Sequence, residues 1–459
     1  MSKYQRADLS LSESRQLPSE LLDFLEQRSY SLAIKGRMGT GKTALALTLL
    51  SLLKDSKDML YISTRMATSE IQRYYPWVDR LDHGSRVEED QDIPNESSIF
   101  VDARLDEPIA FFERVTNELM DTSSPTIVID SWDAVGELFE RDALVTNAKI
   151  LQVWRQRAQA KLIFVIENPE DKTFDNLVDG VIELEEVYVD SRKIRKMHLS
   201  KLRGIKIHKP WYLFSLNKGI FHSYDPHSAS ELATLSYTTS GKKSKEESSL
   251  IKTGYDEMDD LFGGGIKEGS VIYIEIDPNV DTKVVFSFLR GMIREFTSHD
   301  NHVIIHPPIG VSKDNIIHIL DTAIPNPRLR QLIHFSQTKV KTLEDSSRNN
   351  SKVLNKLLNE TKKKYPRKKL LSILGLDQLS DSEQSDLLRS LLESQPSSLI
   401  LISVSHRSNY EQLTGAADIR LRIREIEGNL LLQPESPWSS FYTIVPDRQN
   451  KKIVLDQVV

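Results

Sequence analysis

Residues 36–43 read Gly36-Arg37-Met38-Gly39-Thr40-Gly41-Lys42-Thr43. No other stretch of the chain constrains the fold as much. A glycine-rich loop of this spacing works only where a buried strand ends and a helix begins. Its backbone N–H groups and the positive helix N-terminus must converge on one anion. The flanks comply, because Tyr30 to Lys35 (YSLAIK) reads as a buried strand and Ala44 to Leu53 (ALALTLLSLL) as a helix. Gly36 and Gly41 permit the tight turn, and Gly39 and Thr40 lend backbone donors to the cradle. Lys42 carries a cation to the β- and γ-phosphates, and the Thr43 hydroxyl can ligate Mg²⁺. Gly36, Gly39, Thr40, Gly41, Lys42 and Thr43 are therefore expected to bind a nucleoside triphosphate.

The bulk properties fit a soluble protein of more than one domain. At 459 residues there is chain for two or three cores. A net charge of −6 argues against global attraction to nucleic acid or anionic membranes. The chain has no Cys, so disulfides and thiolate metal sites are excluded. The first ten residues, MSKYQRADLS, carry no apolar signal-like core, and apolar runs fall short of the ~18 residues a membrane span needs. The expectation is a cytoplasmic protein without a membrane role.

Short apolar strands alternate with longer amphipathic segments through the first half: MLYIS at 59–63, SIFV at 98–101, TIVI at 126–129 and LIFVI at 162–166. That alternation implies a parallel sheet covered on both faces. Residues 180–189 and 196–202 continue as an antiparallel extension, and 212–215 and 219–222 close the unit. Residues 228–249 are rich in Ser, Thr, Lys and Glu and read as a linker. The expected division is a nucleotide-binding domain at 1–227, this linker, and a second domain at 250–459.

The second half opens on Thr253-Gly254-Tyr255-Asp256, followed by Gly263-Gly264-Gly265-Ile266 and Gly269-Ser270. This run resembles the entry to a KaiC/RadA-type domain of the RecA ATPase superfamily. The resemblance implies an α/β chain of two tandem RecA-like P-loop domains. The second is degenerate, because Ile276 and Asp281 stand where the outer glycines belong. Thr282 replaces the lysine and Lys283 the hydroxyl residue. An anionic Asp281 repels phosphate, and the lost glycines block close backbone approach.

In the first half, Thr126 to Asp130 resembles the strand that delivers the metal-organising carboxylate of such ATPases, so Asp130 is expected beside Thr43 at Mg²⁺. Lys201-Leu202-Arg203-Gly204, with Lys218-Gly219-Ile220 further on, is similar to the ending of KaiC-like domains. There the basic pair reaches the triphosphate of a neighbouring subunit. The resemblance therefore implies a homo-oligomer in which Lys201 and Arg203 act on the partner chain. Family members that hydrolyse ATP briskly carry Glu just after the second strand, where this chain has Arg65 and Met66. Neither is a general base at neutral pH. Glu70, Asp133 and Glu167 are the carboxylates that could substitute, and spacing favours none.

Leu17 to Leu22, the Tyr61-Ile62-Ser63-Thr64-Arg65 segment and Pro76-Trp77 narrow the resemblance to the P-loop domain of archaeal GvpD-type proteins, regulators associated with repression of gas-vesicle genes through an activator protein. The resemblance implies an ATP-binding regulatory protein with Mg²⁺ as cofactor. It would be a slow or non-hydrolysing nucleotide switch that acts through a protein partner such as a transcription regulator. The alternative is a RadA-like ATPase acting on DNA. The basic run Lys362 to Lys369 is the one local feature that suits nucleic acid, and a solvated loop explains it equally well.

Overall fold

The computed structural model describes residues 17–53, 58–79, 81, 99–136, 141–172, 174–227, 231–232, 235, 250–308, 310–324, 326–336, 347–378, 398–404, 415, 417–447 and 452–459. The chain divides into two compact units, Met1–Asp225 with Val458–Val459, and Pro226–Gln457.

The first unit holds strands β1 (Tyr30–Gly36), β2 (Met59–Ser63), β3 (Phe100–Asp102), β4 (Thr126–Asp130), β5 (Lys161–Ile166), β6 (Gly180–Val189), β7 (Arg192–Leu202), β8 (Trp211–Ser215) and β9 (His222–Ser223). They form one sheet in the order β3-β2-β4-β5-β1-β6-β7-β8-β9. Strands β1 to β6 run parallel, and β7 to β9 extend the sheet antiparallel.

Side chains alternate across this sheet with period two. Tyr30, Leu32, Ile34, Ile163 and Val165 join one core, with the helices Ser19–Leu25 and Lys42–Leu52. Ala33, Leu162, Phe164 and Ile166 join the other, under Trp132 and Phe174. The helix Lys42–Leu52 is buried along almost its whole length, which explains why its sequence is apolar on every side.

In the second unit, β10 (Leu250–Ile251) and β11 (Ile266–Lys267) form a small ribbon. The main sheet contains β12 (Val271–Ile276), β13 (His302–His306), β14 (Ile333–Phe335), β15 (Leu370–Gly375), β16 (Ser398–Val404), β17 (Ile419–Ile426), β18 (Asn429–Ser436), β19 (Tyr442–Asp447) and β20 (Lys452–Gln457). Its order is β14-β13-β15-β16-β12-β17-β18-β19-β20, the first sheet's order strand for strand.

The correspondence extends to irregularities. Both sheets shift register at the same step, between Val181 and Ile182 in the first and Arg420 and Leu421 in the second. A carboxylate caps the start of the central strand in both: Asp179 accepts from the Ser31 amide at 3.0 Å, and Asp418 from Val271 at 2.8 Å. Two halves that share strand order, a bulge and a strand cap are one fold used twice. Of the stretch 228–249, Glu231, Leu232 and Leu235 are described. The two leucines are buried in the second unit's core, and the Arg290 guanidinium donates to the Leu232 carbonyl at 3.0 Å.

Candidate functional site

Parallel strands direct their carboxyl ends to one edge, and that edge collects the chemistry. β1 ends in Gly36, the loop follows, and the helix from Lys42 starts beyond Gly41. Gly41 has φ +100°, a left-handed conformation, and a Cβ there would lie 2.8 Å from the Leu216 side chain. At Gly36 the constraint is approach, because a Cβ would meet the Leu184 carbonyl and the Thr40 hydroxyl at 2.6 Å. No L side chain fits either position, so both glycines are required by the loop itself. Lys42 is almost fully buried, and its ammonium donates to the Arg37 carbonyl at 2.9 Å. Burial lowers the Lys42 pKa, and the nearby carboxylates Glu167, Asp130 and Asp133 oppose that shift.

Strand β4, separated from β1 by β5, supplies the carboxylate side of the site. The Thr43 hydroxyl donates to Asp130 at 2.7 Å. The buried Tyr61 hydroxyl donates to the same carboxylate oxygen at 2.5 Å. Burial raises the Asp130 pKa, while the Tyr61 and Thr43 hydrogen bonds and the Lys42 charge pull it back. The Tyr61 phenol is pushed far above its ordinary value by burial and by Asp130, so it stays a donor. The donor set suits Mg²⁺ with a triphosphate: one hydroxyl, one carboxylate, a buried cation and a turn free of side chains.

Glu167 follows β5. Ile166 pairs with Lys35 in register, so the next step puts Glu167 beside Gly36. Its amide donates to Asp133, and its carboxylate lies 2.8 Å from Arg65 Nε. Arg65 also approaches the Ser131 hydroxyl at 3.4 Å. Burial raises the Asp133 pKa, and the hydrogen bond from the Glu167 amide works against that rise.

A glycine-rich turn between β1 and a buried helix, with Asp130 bonded to Thr43, is the arrangement of a P-loop nucleotide-binding unit. Residues 22–200 match the family described as GvpD gas vesicle protein, P-loop domain. The first half is a P-loop domain of the GvpD type. Protein GvpD1 of Halobacterium salinarum is 25% identical over 334 residues, which cover 70% of this chain and 62% of that relative. Protein GvpD2 of the same organism is 23% identical over 296 residues, covering 62% of this chain and 60% of the relative. The chain thus spans about three fifths of the length of these relatives.

Lys201 and Arg203 follow directly on the matched segment, and they do not join the GvpD-type P-loop of their own chain. Arg203 pairs with Asp179 at 2.7 Å, and Asp179 binds Ser31 at the opposite end of β1 from Gly36. Five residue steps, roughly 17 Å, lie between Ser31 and Gly36. Lys201 donates to the Asp175 and Val178 carbonyls at 2.7 Å each. Asp175 also pairs with Lys35, which is wholly buried in β1.

The second unit fills the corresponding space with its own groups. Asp277, just after β12, takes Arg422 at 2.6 Å and Arg424 at 3.4 Å. Strand registers give Gly375 the position in the second sheet that Asp130 holds in the first, and a Cβ at Gly375 would lie 2.3 Å from the Pro308 backbone. No carboxylate fits there.

The basic run is partly neutralised as well. Lys362, Lys363 and Lys364 sit in the last turn of the helix Ser347–Lys364, where cations complement the helix dipole. Lys368 pairs with Asp300 at 2.5 Å, and Lys369 pairs with Glu268. Among the described residues no group of three or more His, Asp or Glu could hold a metal by itself, and no helix is long and apolar enough to cross a membrane.

The sequence reading named the loop and Asp130 but missed Tyr61. It lies inside a run legible only as a buried strand, and a tyrosine among aliphatic residues is the signal that was available.

Proposed function

We propose that the first unit binds ATP with Mg²⁺ and that the chain is a slow nucleotide-dependent regulatory switch acting through a protein partner. The observation that carries the reading is the Thr43–Asp130 hydrogen bond beside a complete phosphate loop, with Arg65 at the position where brisk hydrolases carry glutamate. Bound Mg²⁺ supplies charge neutralisation at the phosphates, with Thr43 and Asp130 to hold it. The chain's own residues do the rest. The loop amides and Lys42 grip the phosphates, and Tyr61 keeps Asp130 aimed. The protein partner, a transcription regulator, is proposed on the resemblance to GvpD-type proteins alone. Lys201 and Arg203 are read as residues that reach the nucleotide of a second copy, since Arg203 pairs at the end of β1 remote from its own loop and Lys201 is engaged by the Asp175 and Val178 carbonyls.

The test is a calorimetric titration of ATP with and without Mg²⁺, joined to a turnover assay across protein concentration. Metal-enhanced binding with turnover far below the ~10 s⁻¹ typical of enzymes supports the switch. No binding overturns it, and brisk turnover stimulated by DNA favours the RadA-like alternative.

A further inference from the structure

We propose that Glu167 is the carboxylate that accepts the proton of the attacking water, and that Arg65 holds Glu167 in check. The inference rests on the nucleotide reading above and names the residue that reading leaves open.

Elimination comes first. Glu70 accepts from the Ala67 amide at 3.2 Å and caps the helix Thr68–Tyr74. Asp133 is committed to backbone amides at the end of β5, the Glu167 amide among them. Asp130 faces Thr43 and Tyr61. Glu167 has a fixed backbone, and its carboxylate pairs with the Arg65 side chain at the edge of the site. Position agrees with this assignment. Glu167 follows a strand that lies between β1 and β4, so it stands between the phosphate loop and Asp130. Its charge also acts on Lys42, beside those of Asp130 and Asp133.

The second unit supplies an internal control. By register, Val404 occupies the place of Glu167 there, and Gly375 that of Asp130. The cap survives in altered form, because the Val404 amide still finds a carboxylate, Asp377, at 3.2 Å. The fold therefore needs a carboxylate that caps this strand end, but it does not need Glu167. The half with an intact phosphate loop has the glutamate, and the half without one has valine.

In the step, the water oxygen bonds to the γ-phosphorus while the bond to the β,γ-bridging oxygen breaks. The electron pair leaves with ADP. The water proton passes to Glu167 and then to the released phosphate. Arg65 opposes this by drawing the carboxylate to itself. The Arg65 side chain is 40% exposed, so the pair is weak and can open when the loop or a partner shifts Arg65.

The experiment uses the full chain with Mg²⁺ and compares Glu167→Gln, Arg65→Ala and the double variant. Glu167→Gln should bind ATP at least as tightly as the parent, melt at the same temperature, and hydrolyse on the order of 10²-fold more slowly. It should also lose the parent's extra affinity for ADP with aluminium fluoride, a mimic that includes the attacking ligand. Arg65→Ala should speed hydrolysis, and should do nothing once Glu167 is Gln. If Glu167→Gln turns over as fast as the parent, the inference falls while the nucleotide reading stands. If neither the parent nor Arg65→Ala hydrolyses bound ATP, the inference also falls. Failure of the parent to bind ATP overturns both.

Discussion

The Thr43 hydroxyl and the Asp130 carboxylate meet at 2.7 Å, joining the first turn of the loop's helix to the end of β4. The contact brings a hydroxyl and a carboxylate to one point beside a buried ammonium, the requirement for holding a metal against phosphate. Asp130→Asn should therefore keep the fold and weak ATP binding but lose the increment that Mg²⁺ adds. Lys42→Ala should abolish ATP binding altogether, a loss of at least ~10²-fold for a desolvated charge contact. Calorimetry with and without metal separates the two effects. Equal affinity in Lys42→Ala and parent would sink the site.

Tyr61→Phe tests the support beneath Asp130. The phenol is fully buried, and it shares one carboxylate oxygen with Thr43. Removing it leaves a buried acceptor short of a donor and should cost about 1–3 kcal/mol of stability, read from the denaturation midpoint. In an Asp130→Asn background the cost should shrink, because the two residues form one network. A full, additive loss in both backgrounds would mean that Tyr61 acts through packing alone.

Much of this was legible in the chain. The octet at 36–43 dictated strand, loop and helix, and alternating apolar runs dictated a parallel sheet. The tandem repeat followed from the glycine-rich run before β12. Other features were not legible, because they depend on which strands become neighbours. Tyr61 meets Asp130 only because β2 pairs with β4. Glu167 adjoins Gly36 only because β5 pairs with β1. Spacing along the chain carries neither fact. The same limit applies to Gly375, whose correspondence to Asp130 emerges from register and not from any motif.

The second unit should contribute no nucleotide site, and the full chain should bind one triphosphate. Arg422 and Arg424 already hold the Asp277 carboxylate, and Pro308 occupies the space above Gly375. Thr282→Ala and Lys283→Ala should leave the stoichiometry unchanged, and two nucleotides per chain by calorimetry would contradict this. Asp277→Ala should instead lower stability by roughly 1–3 kcal/mol, since two partly buried guanidiniums lose their counter-charge.

Acid should weaken the second unit through its histidines. His306 is almost entirely buried beside Ser336, and burial lowers its pKa to about 4. His302 and His334, 3.0 Å apart, are lowered in the same direction by burial. The unfolded chain therefore binds protons that the folded chain refuses. The associated stability is fully present above about pH 6.5 and is lost as pH falls through about 4. For His306 the loss is on the order of 3 kcal/mol. Urea midpoints of the parent and His306→Leu, compared between pH 7.5 and pH 4.5, should converge toward acid. A constant gap would refute the assignment.

The last prediction concerns assembly. Arg203 lies at the far end of β1 from its own loop, and Lys201 is held by the Asp175 and Val178 carbonyls, so a contact of either with a triphosphate is expected on another copy. The two are unequal probes. Lys201→Ala strips two backbone carbonyls of their donor and should cost stability. Arg203 is 65% exposed, and Asp179 keeps Ser31 and Arg155 when Arg203 is removed. Arg203→Ala is therefore the cleaner variant. It should leave ATP binding and melting nearly unchanged and slow turnover, as removal of a charge at the developing phosphoryl group does. Turnover per chain should rise with protein concentration in the parent. Mixing Lys42→Ala with Arg203→Ala should then restore part of the activity, because some hybrid interfaces pair an intact loop with an intact arginine. Turnover that is independent of concentration, with no recovery on mixing, would confine Arg203 to its ion pair with Asp179.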